Sequence, residues 1–421
     1  MFDVNQVRRS FPALSQSYAG KSAIFADAPG GTQVPSIVAD SMKEYMLTGV
    51  SNLGGFYPTS LKTIDVMQAA RHGVKLLINA EDESEISFGQ NMTSITFSIS
   101  QAIAKTWQKG DVIVVSELDH EANISPWVDA ANRAGATVKY IPFNQETCML
   151  DLDTLAEYLQ QGGVKFLAIT LASNICGSIT DIQKVMAYAK SYNVQVYVDA
   201  VHFIAHHIVD VKEIGCDWLA FSGYKICGPH IGVLYSNAKT TNTITPNKIL
   251  PAPQTRPFCY ETGTQNFEAM VGLTRAIIHK ASLSSTKDAS LDRSSIIQSM
   301  LMIKTHESRL KKRLLDKLSM LERVNIHGVK DQAEIDRRTP TFALSIPDKS
   351  AHEVAKSLAN RGVFAGSGNF YVPKFVQRMA LEYQGGVVRL GFAYYNTEDE
   401  IDQVVSHLSE LTSKKALSAK L

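Results

Sequence analysis

The sequence predicts an α/β fold with two domains: a large domain built on a mostly parallel sheet, and a smaller α+β domain at the C-terminus. Between about residues 84 and 235, short β-branched runs alternate with helical stretches, which is typical of a parallel sheet with helices on both faces. The chain has 421 residues, of which 45% are hydrophobic, so it is long enough for two domains and a substantial core. The predicted strands are EISFG, DVIVVS, TVKYIPF, VKFLAIT, VQVYVD, DWLAFS and IGVLYS.

A proline-rich polar stretch at residues 236–265 predicts the domain boundary. We therefore expect a large domain over residues 21–265 and a small domain over residues 266–421, with residues 1–20 packing against the small one. Beyond the boundary, a long charged amphipathic helix is predicted near residues 294–321.

Composition excludes several classes of protein. The 42 basic side chains nearly balance the 41 acidic ones, so nothing suggests a nucleic-acid or membrane-surface partner, and a small neutral or zwitterionic ligand fits better. The N-terminus lacks the apolar segment of a secretory signal, and no later stretch is apolar over a membrane-spanning length. Five scattered cysteines without a CxxC pair argue against a disulfide framework and a structural zinc site, which favours a reducing cytoplasm.

Two residues that follow apolar strands point to a particular cofactor. Asp199 ends the run VQVYVD, and Lys225 follows DWLAFS in the segment FSGYKICG. The carboxyl ends of neighbouring parallel strands open into one crevice. Pyridoxal phosphate (PLP) requires one lysine amine for a Schiff base and a carboxylate beside its pyridine nitrogen. The pair therefore predicts a PLP site with Lys225 and Asp199 as catalytic residues.

Each of these residues has a simpler interpretation when taken alone. Asp199 suits the N-cap of a helix over AVHFIAHH, and Lys225 suits a solvated loop. Their joint position at two strand ends favours the cofactor.

A phosphate site is predicted where the strand EISFG turns into the helical segment MTSITFSIS. Helix N-termini offer backbone N–H groups and a favourable dipole to anions. Asn91, the backbone of Met92, and Thr93 stand at that point. The alternative is plain N-capping of the helix by Thr93 or Ser94.

Three more polar residues complete the predicted site. His120 and Asn174 each follow a strand, where an imidazole can cover a cofactor ring and an amide can bond a phenolic oxygen or a carboxylate. Arg389 stands within the apolar run VVRLGF, and a buried guanidinium requires an anion, such as the carboxylate of an amino-acid substrate. The alternatives are a loop histidine for His120 and an internal salt bridge for Arg389.

A metal site competes for one segment. In DAVHFIAHH, His202 and His206 have the spacing that places two ligands on one helix face. Phe203 occupies the place where the zinc-protease motif has glutamate, so we predict no metal.

Several motifs together resemble the class V aminotransferase family and, within it, the cysteine desulfurase-like proteins. The resemblance spans residues 24–405 and is specific because the motifs occur in the family's order and spacing. They are FADAPGGTQVP, SELDHEANISPW, SNICGSITDI, YVDAVH, FSGYKICGPHIGVLY, ETGTQN and VRLGFAYYNTEDEID.

The resemblance implies a fold-type I PLP-dependent transferase with a seven-stranded sheet in the large domain, acting as a homodimer with shared active sites. At matching positions it implies that Lys225 is the Schiff-base lysine, Asp199 the partner of the pyridine nitrogen, and His120 the histidine that stacks on the ring. The implied phosphate contacts are Asn91, Met92, Thr93, Ser222 and, from the other subunit, Thr264.

Two positions differ from many relatives in residue type. His202 stands where they have glutamine beside the phenolic oxygen, and Tyr224 stands where they have histidine before the lysine. Asn174 and Arg389 match the pair that holds the substrate carboxylate.

One departure bears on the reaction itself. Desulfurases of the family carry a nucleophilic cysteine in a loop of the small domain, where this chain has Gly368, Asn369, Phe370 and Tyr371. We therefore expect a PLP-dependent lyase or transferase that deprotonates the α-carbon of an amino acid, with persulfide chemistry doubtful. The alternatives are selenocysteine lyase, epimerase or aminotransferase activity, or a PLP-binding regulatory protein without catalysis.

Overall fold

The computed structural model describes residues 2–18, 20–242, 244–284 and 291–413. Its strands are β1 (Ser17–Tyr18), β2 (Lys21–Ser22), β3 (Ile24–Phe25), β4 (Ile86–Gly89), β5 (Val112–Ser116), β6 (Thr137–Ile141), β7 (Val164–Thr170), β8 (Gln195–Asp199), β9 (Trp218–Ser222), β10 (Gly232–Ser236), β11 (Asn325–His327), β12 (Thr341–Ser345), β13 (Val363–Phe364), β14 (Gly366–Gly368) and β15 (Val387–Gly391).

The α-helices of the described residues are α1 (Val4–Arg8), α2 (Ser36–Leu47), α3 (Pro58–Ile78), α4 (Met92–Ile103), α5 (Ser125–Ala134), α6 (Leu152–Gln160), α7 (Ile182–Ser191), α8 (Val211–Ile214), α9 (Phe267–Ser282), α10 (Arg293–Ser319), α11 (Ala351–Ala359), α12 (Pro373–Arg378) and α13 (Glu398–Thr412).

A seven-stranded sheet in the order β4-β10-β9-β8-β7-β5-β6 forms the centre of the larger part. The strands from β9 to β6 pair in parallel, while β10 is antiparallel to both β4 and β9. Every residue of β9 and β10 is buried, as expected for strands covered on both faces. The predicted fold class and the seven-stranded, mostly parallel sheet are confirmed.

Side chains of one strand alternate between the two faces of this sheet. Trp218 and Ala220 of β9 pack in a cluster with residues of α4 and α5. Leu219 and Phe221 pack on the other face with residues of α3 and α9. A period of two along the strand therefore supplies both halves of the core.

A second sheet of four strands, in the order β11-β12-β15-β14, is antiparallel throughout. Its apolar cluster includes residues of α10, α11 and α13. The observed α10 corresponds to the long helix predicted near residues 294–321. Because β15 crosses the middle of this sheet, Arg389 lies on a strand whose five residues are all buried.

The division of the chain at residue 265 stays a prediction. Apolar residues of α9 belong to the core cluster of the seven-stranded sheet, although α9 follows the predicted boundary. Near the N-terminus, Arg8 pairs with Glu400 of α13 at 2.9 Å, and the ring of Phe11 lies 5.1 Å from that of Tyr395. Residues 414–421 of the predicted small domain lie outside the described residues.

Among the helices of the described ranges, none combines the length and the apolar character needed to cross a bilayer.

Candidate active site

A cavity of about 720 Å³ opens at the carboxyl ends of β7, β8 and β9. All of the predicted site residues except Thr264 line it, namely Asn91, Met92, Thr93, His120, Asn174, Asp199, His202, Ser222, Tyr224, Lys225 and Arg389. The strand-end rule used on the sequence accounts for these residues except Arg389, which comes from β15 of the four-stranded sheet.

Lys225 stands at the end of a short 3₁₀ turn, Gly223–Lys225, that directly follows β9. Its Nζ donates hydrogen bonds to the carbonyl oxygens of Pro29 and, at 3.1 Å, of Gly30. Burial and the nearby charge of Arg389 lower the pKa of this amine to about 8, against the raising effect of Asp27 and Asp199. A lysine in this state exchanges protons close to neutral pH.

Asp199 is the last residue of β8 and is only 4% exposed. Its Oδ1 accepts a hydrogen bond from the N–H of Val201 at 2.8 Å. Burial raises the pKa of this carboxyl to about 6, although the Val201 N–H and the charge of Lys225 oppose the rise. The helix predicted by the N-cap alternative is not formed, because only a short 3₁₀ turn, Phe203–Ala205, follows.

The N-terminus of α4 points into the cavity from the side of β4. Asn91 caps this helix, since its Oδ1 accepts the N–H of Ser94 at 2.9 Å in a reciprocal capping box. The alternative with Thr93 or Ser94 as the N-cap is therefore wrong. The N–H of Met92 donates to Oγ of Ser222 at 3.0 Å, which ties α4 to the end of β9. Thr93 is exposed in the first helical turn.

His120 follows β5 and is held by its own backbone turn. Its Nδ1 accepts the N–H of Ala122 at 3.0 Å, which leaves the proton of the neutral ring on Nε2. Burial, with Lys225 and Arg389 adding to it, lowers the pKa of His120 to about 4, so the ring is neutral at pH 7. The centroid of the Tyr371 ring lies 5.1 Å from that of His120.

Arg389 reaches the cavity from β15 of the four-stranded sheet. Its Nη2 donates to Oδ1 of Asp27 at 2.8 Å, and its Nη1 donates to the carbonyl oxygen of Asn174 at 3.1 Å. The ring of Phe370 covers the guanidinium at 3.9 Å. The internal salt bridge weighed from the sequence is thus present, with Asp27 as the partner. Among the described residues, Nε of Arg389 and Oδ1 of Asn174 are buried without a hydrogen-bond partner.

The loop that replaces the desulfurase cysteine motif is fixed over this site. Phe370 and Tyr371 both have left-handed backbones, with φ of 49° and 59°. Nδ2 of Asn174 donates a hydrogen bond to the carbonyl oxygen of Phe370 at 3.0 Å. The N–H of Glu121 donates one to the carbonyl oxygen of Tyr371 at 2.8 Å. The side chain of Tyr371 stays largely exposed. The unusual backbone of this loop therefore orients Asn174 and anchors the turn after His120.

The two positions that differ from many relatives are both held by neighbouring side chains. Nε2 of His202 lies 2.9 Å from Oγ1 of Thr339 and 3.1 Å from Oγ1 of Thr341. The ring of Tyr224 stacks on that of His230 with centroids 4.7 Å apart. The ring of His206 packs edge-to-face against that of His202, with centroids 5.3 Å apart, and its Nδ1 bonds Glu307. The described ranges contain no cluster of three or more metal-ligating side chains.

Thr264 lies outside the cavity in a single copy of the chain. It lines a neighbouring cavity of about 890 Å³ that shares Asn91 and His230 with the first one. The expected contribution of Thr264 from a second subunit stays a prediction.

Several residues missed by sequence reasoning lie on the side of Arg389, and His230, which stacks on Tyr224, was missed as well. Asp27, Pro29 and Gly30 come from the motif FADAPGG, which was noted for its resemblance but given no role. Phe370 was identified only as part of the loop without cysteine. The available signal was an aspartate followed by a proline and two glycines, a turn that brings main-chain carbonyls close to other groups.

Comparison with known proteins identifies the family of the chain. The family model for aminotransferase class-V matches residues 24–404. Curated relatives include a cysteine desulfurase from Klebsiella pneumoniae, 27% identical over 97% of this chain and 98% of its own length, and one from Salmonella gallinarum, 28% identical with the same coverage. The chain therefore belongs to the class-V aminotransferase family, whose members are PLP-dependent enzymes that act on amino acids.

Solved structures share the fold. The apo structure of a cysteine desulfurase from Thermococcus onnurineus matches with a TM-score of 0.85 and 24% identity, over 97% of this chain and 98% of that one. A cysteine desulfurase from Escherichia coli matches with a TM-score of 0.82, 24% identity and the same coverage.

Proposed function

We propose that this chain binds PLP through Lys225 and uses it to deprotonate the α-carbon of an amino acid. The observation that carries the proposal is the joint presence of a lysine amine, a buried carboxylate and a buried guanidinium in one cavity, from Lys225, Asp199 and Arg389. The identity of the amino acid and the step after deprotonation are left to experiment.

The donor set of the cavity fits this cofactor. Lys225 supplies the amine for covalent attachment, and Asp199 supplies the carboxylate for the pyridine nitrogen. Thr93, in the first turn of α4, supplies its N–H for the phosphate, because the N–H groups of Met92 and Ser94 already donate to Ser222 and Asn91. The neutral ring of His120 would cover the cofactor ring. Among the described residues, Oδ1 of Asn174 and Nε of Arg389 are buried without a hydrogen-bond partner. They mark the side of the cavity on which a polar group of a ligand would be bound.

PLP, when bound, supplies an electron sink for the bonds at the α-carbon. The side chains of this protein supply position and proton transfer. Arg389 and Asn174 hold the substrate carboxylate, and the amine of Lys225, with its pKa lowered to about 8, takes the α-proton. Burial raises the pKa of Asp199, but a cation placed beside the carboxylate lowers it again. Asp199 would therefore stay ionised when it faces a protonated pyridine nitrogen.

The test is a spectral screen. Purified protein loaded with PLP is mixed with a panel of L- and D-amino acids, its visible spectrum is recorded, and the products are identified. Sodium borohydride should fix PLP onto Lys225, as read by peptide mass spectrometry, and Lys225→Ala should abolish the fixation. If PLP is fixed equally in that variant, the assignment of Lys225 is wrong. If no amino acid changes the spectrum of the wild-type protein, the alternative of a PLP-binding regulatory protein without catalysis is favoured instead.

We also propose that the reaction does not pass through a persulfide on this chain. All five cysteines belong to the described part, each is buried, and none lines the cavity. Buried thiols in apolar surroundings are poor nucleophiles, and burial raises the pKa of Cys227, which is two residues from Lys225. Against its burial, hydrogen bonds with Cys148 and Ser178 lower the pKa of Cys176, but this thiol is buried outside the cavity. After incubation with L-cysteine, peptide mass spectrometry should find no added sulfur atom on any cysteine. Such an adduct on one of them would overturn this part of the proposal.

We further propose that two copies of the chain form a dimer that completes both sites. Support comes from Thr264, which lines the neighbouring cavity, and from a group of exposed apolar side chains in residues 34–61. These are Val34, Ile37, Met46, Leu47, Val50, Leu53, Phe56, Tyr57 and Leu61. Light scattering should give a dimer, and Phe56→Asp should shift it toward the monomer. A wild-type monomer at high concentration would exclude the shared site.

A further inference from the structure

We propose that Asp27 sets the charge selectivity of the cavity: by neutralising Arg389, it favours amino acids with a single carboxylate over those with a second acidic group. This inference rests on the proposed function, because it takes Arg389 as the group that binds the substrate carboxylate.

The contact between the two side chains is direct. Oδ1 of Asp27 accepts Nη2 of Arg389 at 2.8 Å, and both residues line the cavity. The side chain of Arg389 is 4% exposed, whereas that of Asp27 is 40% exposed. The buried cation and the more exposed carboxylate therefore both border the space that a substrate enters, so the charge of Asp27 acts on the substrate as well as on Arg389.

Asp27 is held in this position by its surroundings. A Cβ on Gly30 would lie 2.5 Å from Oδ2 of Asp27, and one on Gly366 would lie 3.3 Å from Oδ1, so two glycines leave room for the carboxylate. The backbone on both sides is tied to β15, since the N–H of Ala28 donates to the carbonyl oxygen of Gly391 at 3.1 Å. The carboxylate is thus already in place when a ligand arrives.

The pair keeps hydrogen-bond donors for one carboxylate. A guanidinium carries five N–H groups, and Asp27 and the Asn174 carbonyl use one each. Nε of Arg389 is free of partners within the described ranges. A single substrate carboxylate can therefore bind through hydrogen bonds although the Arg389–Asp27 pair has no net charge.

A second acidic group on the substrate gains no such compensation. The lysine, arginine and acidic side chains that line the cavity within the described part of the chain are Lys225, Arg389, Asp27 and Asp199, two of each sign. In the PLP-loaded protein, Lys225 and Asp199 are engaged with the cofactor, so the charged side chains left for the substrate are Arg389 and Asp27, one of each sign. An additional carboxylate therefore meets no unneutralised cation and is repelled by Asp27.

The experiment compares Asp27→Asn, which keeps the shape and removes the charge, with the wild type. Glu157→Gln is the matched control, because Glu157 is exposed on α6 and the change also removes one negative charge. Dissociation constants of the PLP-loaded proteins are measured for L-alanine and L-aspartate from the visible spectrum, and for acetate and succinate by calorimetry. In Asp27→Asn, the affinity for L-aspartate relative to L-alanine should rise about tenfold, as should that for succinate relative to acetate. Glu157→Gln should leave both ratios unchanged.

The outcomes separate this inference from the proposed function. If Asp27→Asn changes both members of each pair by the same factor, Asp27 has only a structural role and the inference is wrong. If the amino acids leave the wild-type spectrum unchanged, the proposed function fails, while acetate and succinate still test the charge selectivity. Asp27→Ser, also uncharged, replaces Asp27→Asn if that variant does not fold. Asp27→Glu, which keeps the charge, should retain the wild-type ratios.

Discussion

Two buried arginines of this protein are built for different purposes. Both terminal nitrogens of Arg71, on α3, are hydrogen-bonded. Its Nη2 donates to the two carboxylate oxygens of Glu261 at 2.8 and 2.9 Å, and its Nη1 donates to the carbonyl oxygen of Ile86. Arg389 of β15 makes only one bond to its carboxylate, Asp27, and its Nε lacks a partner among the described residues.

The Arg71–Glu261 and Arg389–Asp27 pairs also differ in how far their carboxylates are exposed to solvent. The side chains of Arg71 and Glu261 are each 5% exposed, and Glu261 also accepts the N–H of Phe88 at 3.0 Å. The side chain of Asp27 is 40% exposed and lines a cavity. Removing one partner of a fully bonded, buried pair leaves the other charge unpaired and destabilises the fold, whereas an arginine with spare donors beside a cavity is available to a ligand.

Breaking the sealed pair should have the largest effect on stability. Glu261→Gln leaves the charge of Arg71 buried and unpaired, which should lower the free energy of unfolding by about 3 kcal/mol or more in urea denaturation. The double variant Arg71→Met with Glu261→Gln should recover part of this loss, since no charge is then left alone. If Glu261→Gln lowered the free energy of unfolding by less than Asp27→Asn does, the contrast drawn between the two arginine pairs would be wrong.

Removing the other guanidinium should instead affect binding. Arg389→Met should weaken the binding of amino-acid carboxylates about 100-fold, because it removes charge-assisted hydrogen bonds. Its stability should fall less than that of Glu261→Gln, since the remaining Asp27 can be hydrated from the cavity. Titration and urea unfolding of the same preparation give both numbers, and unchanged affinity would remove Arg389 from the substrate site.

The charge of Arg389 should also be felt by Lys225. Because burial and Arg389 lower the pKa of Lys225 to about 8, the rate of PLP uptake by the apoprotein should rise with pH to a half-maximum near that value. Arg389→Met should move the midpoint upward, toward the 10.5 of an unperturbed lysine. Asp27→Asn should move it downward, since Asp27 raises the same pKa. Shifts of equal sign in the two variants would contradict the electrostatic interpretation.

The aromatic cover of Arg389 should have the smallest effect. Phe370→Leu removes a ring that lies 3.9 Å from the guanidinium and keeps an apolar side chain. Loss of the cation–π contact should cost about 1 kcal/mol of carboxylate binding, or roughly a fivefold rise in the dissociation constant. An effect as large as that of Arg389→Met would mean that Phe370 also holds the backbone of its loop.

The sequence predicted those parts of the site that depend on strand ends. Asp199 and Lys225 follow neighbouring parallel strands, so a general rule of α/β sheets was sufficient to bring them together. The partner of Arg389 was not predictable in this way, because Asp27 lies 362 residues away and meets Arg389 only where residues 26–28 run beside β15.

Local conformation was the other limit. The sequence around Asn91, Thr93 and Ser94 offers several capping side chains, and only the backbone geometry selects Asn91. The left-handed backbones of Phe370 and Tyr371 are equally invisible, because bulky residues rarely adopt them and no glycine marks either position.

The loop from Gly368 to Tyr371 limits how this protein can be re-engineered. A cysteine introduced by Tyr371→Cys would keep the φ of 59° and the carbonyl oxygen that accepts the N–H of Glu121, so this backbone would fix where its thiol lies. The same backbone also fixes Asn174 through Phe370. A change of the loop backbone made to reposition that thiol would therefore also disturb Asn174 and the turn that follows His120.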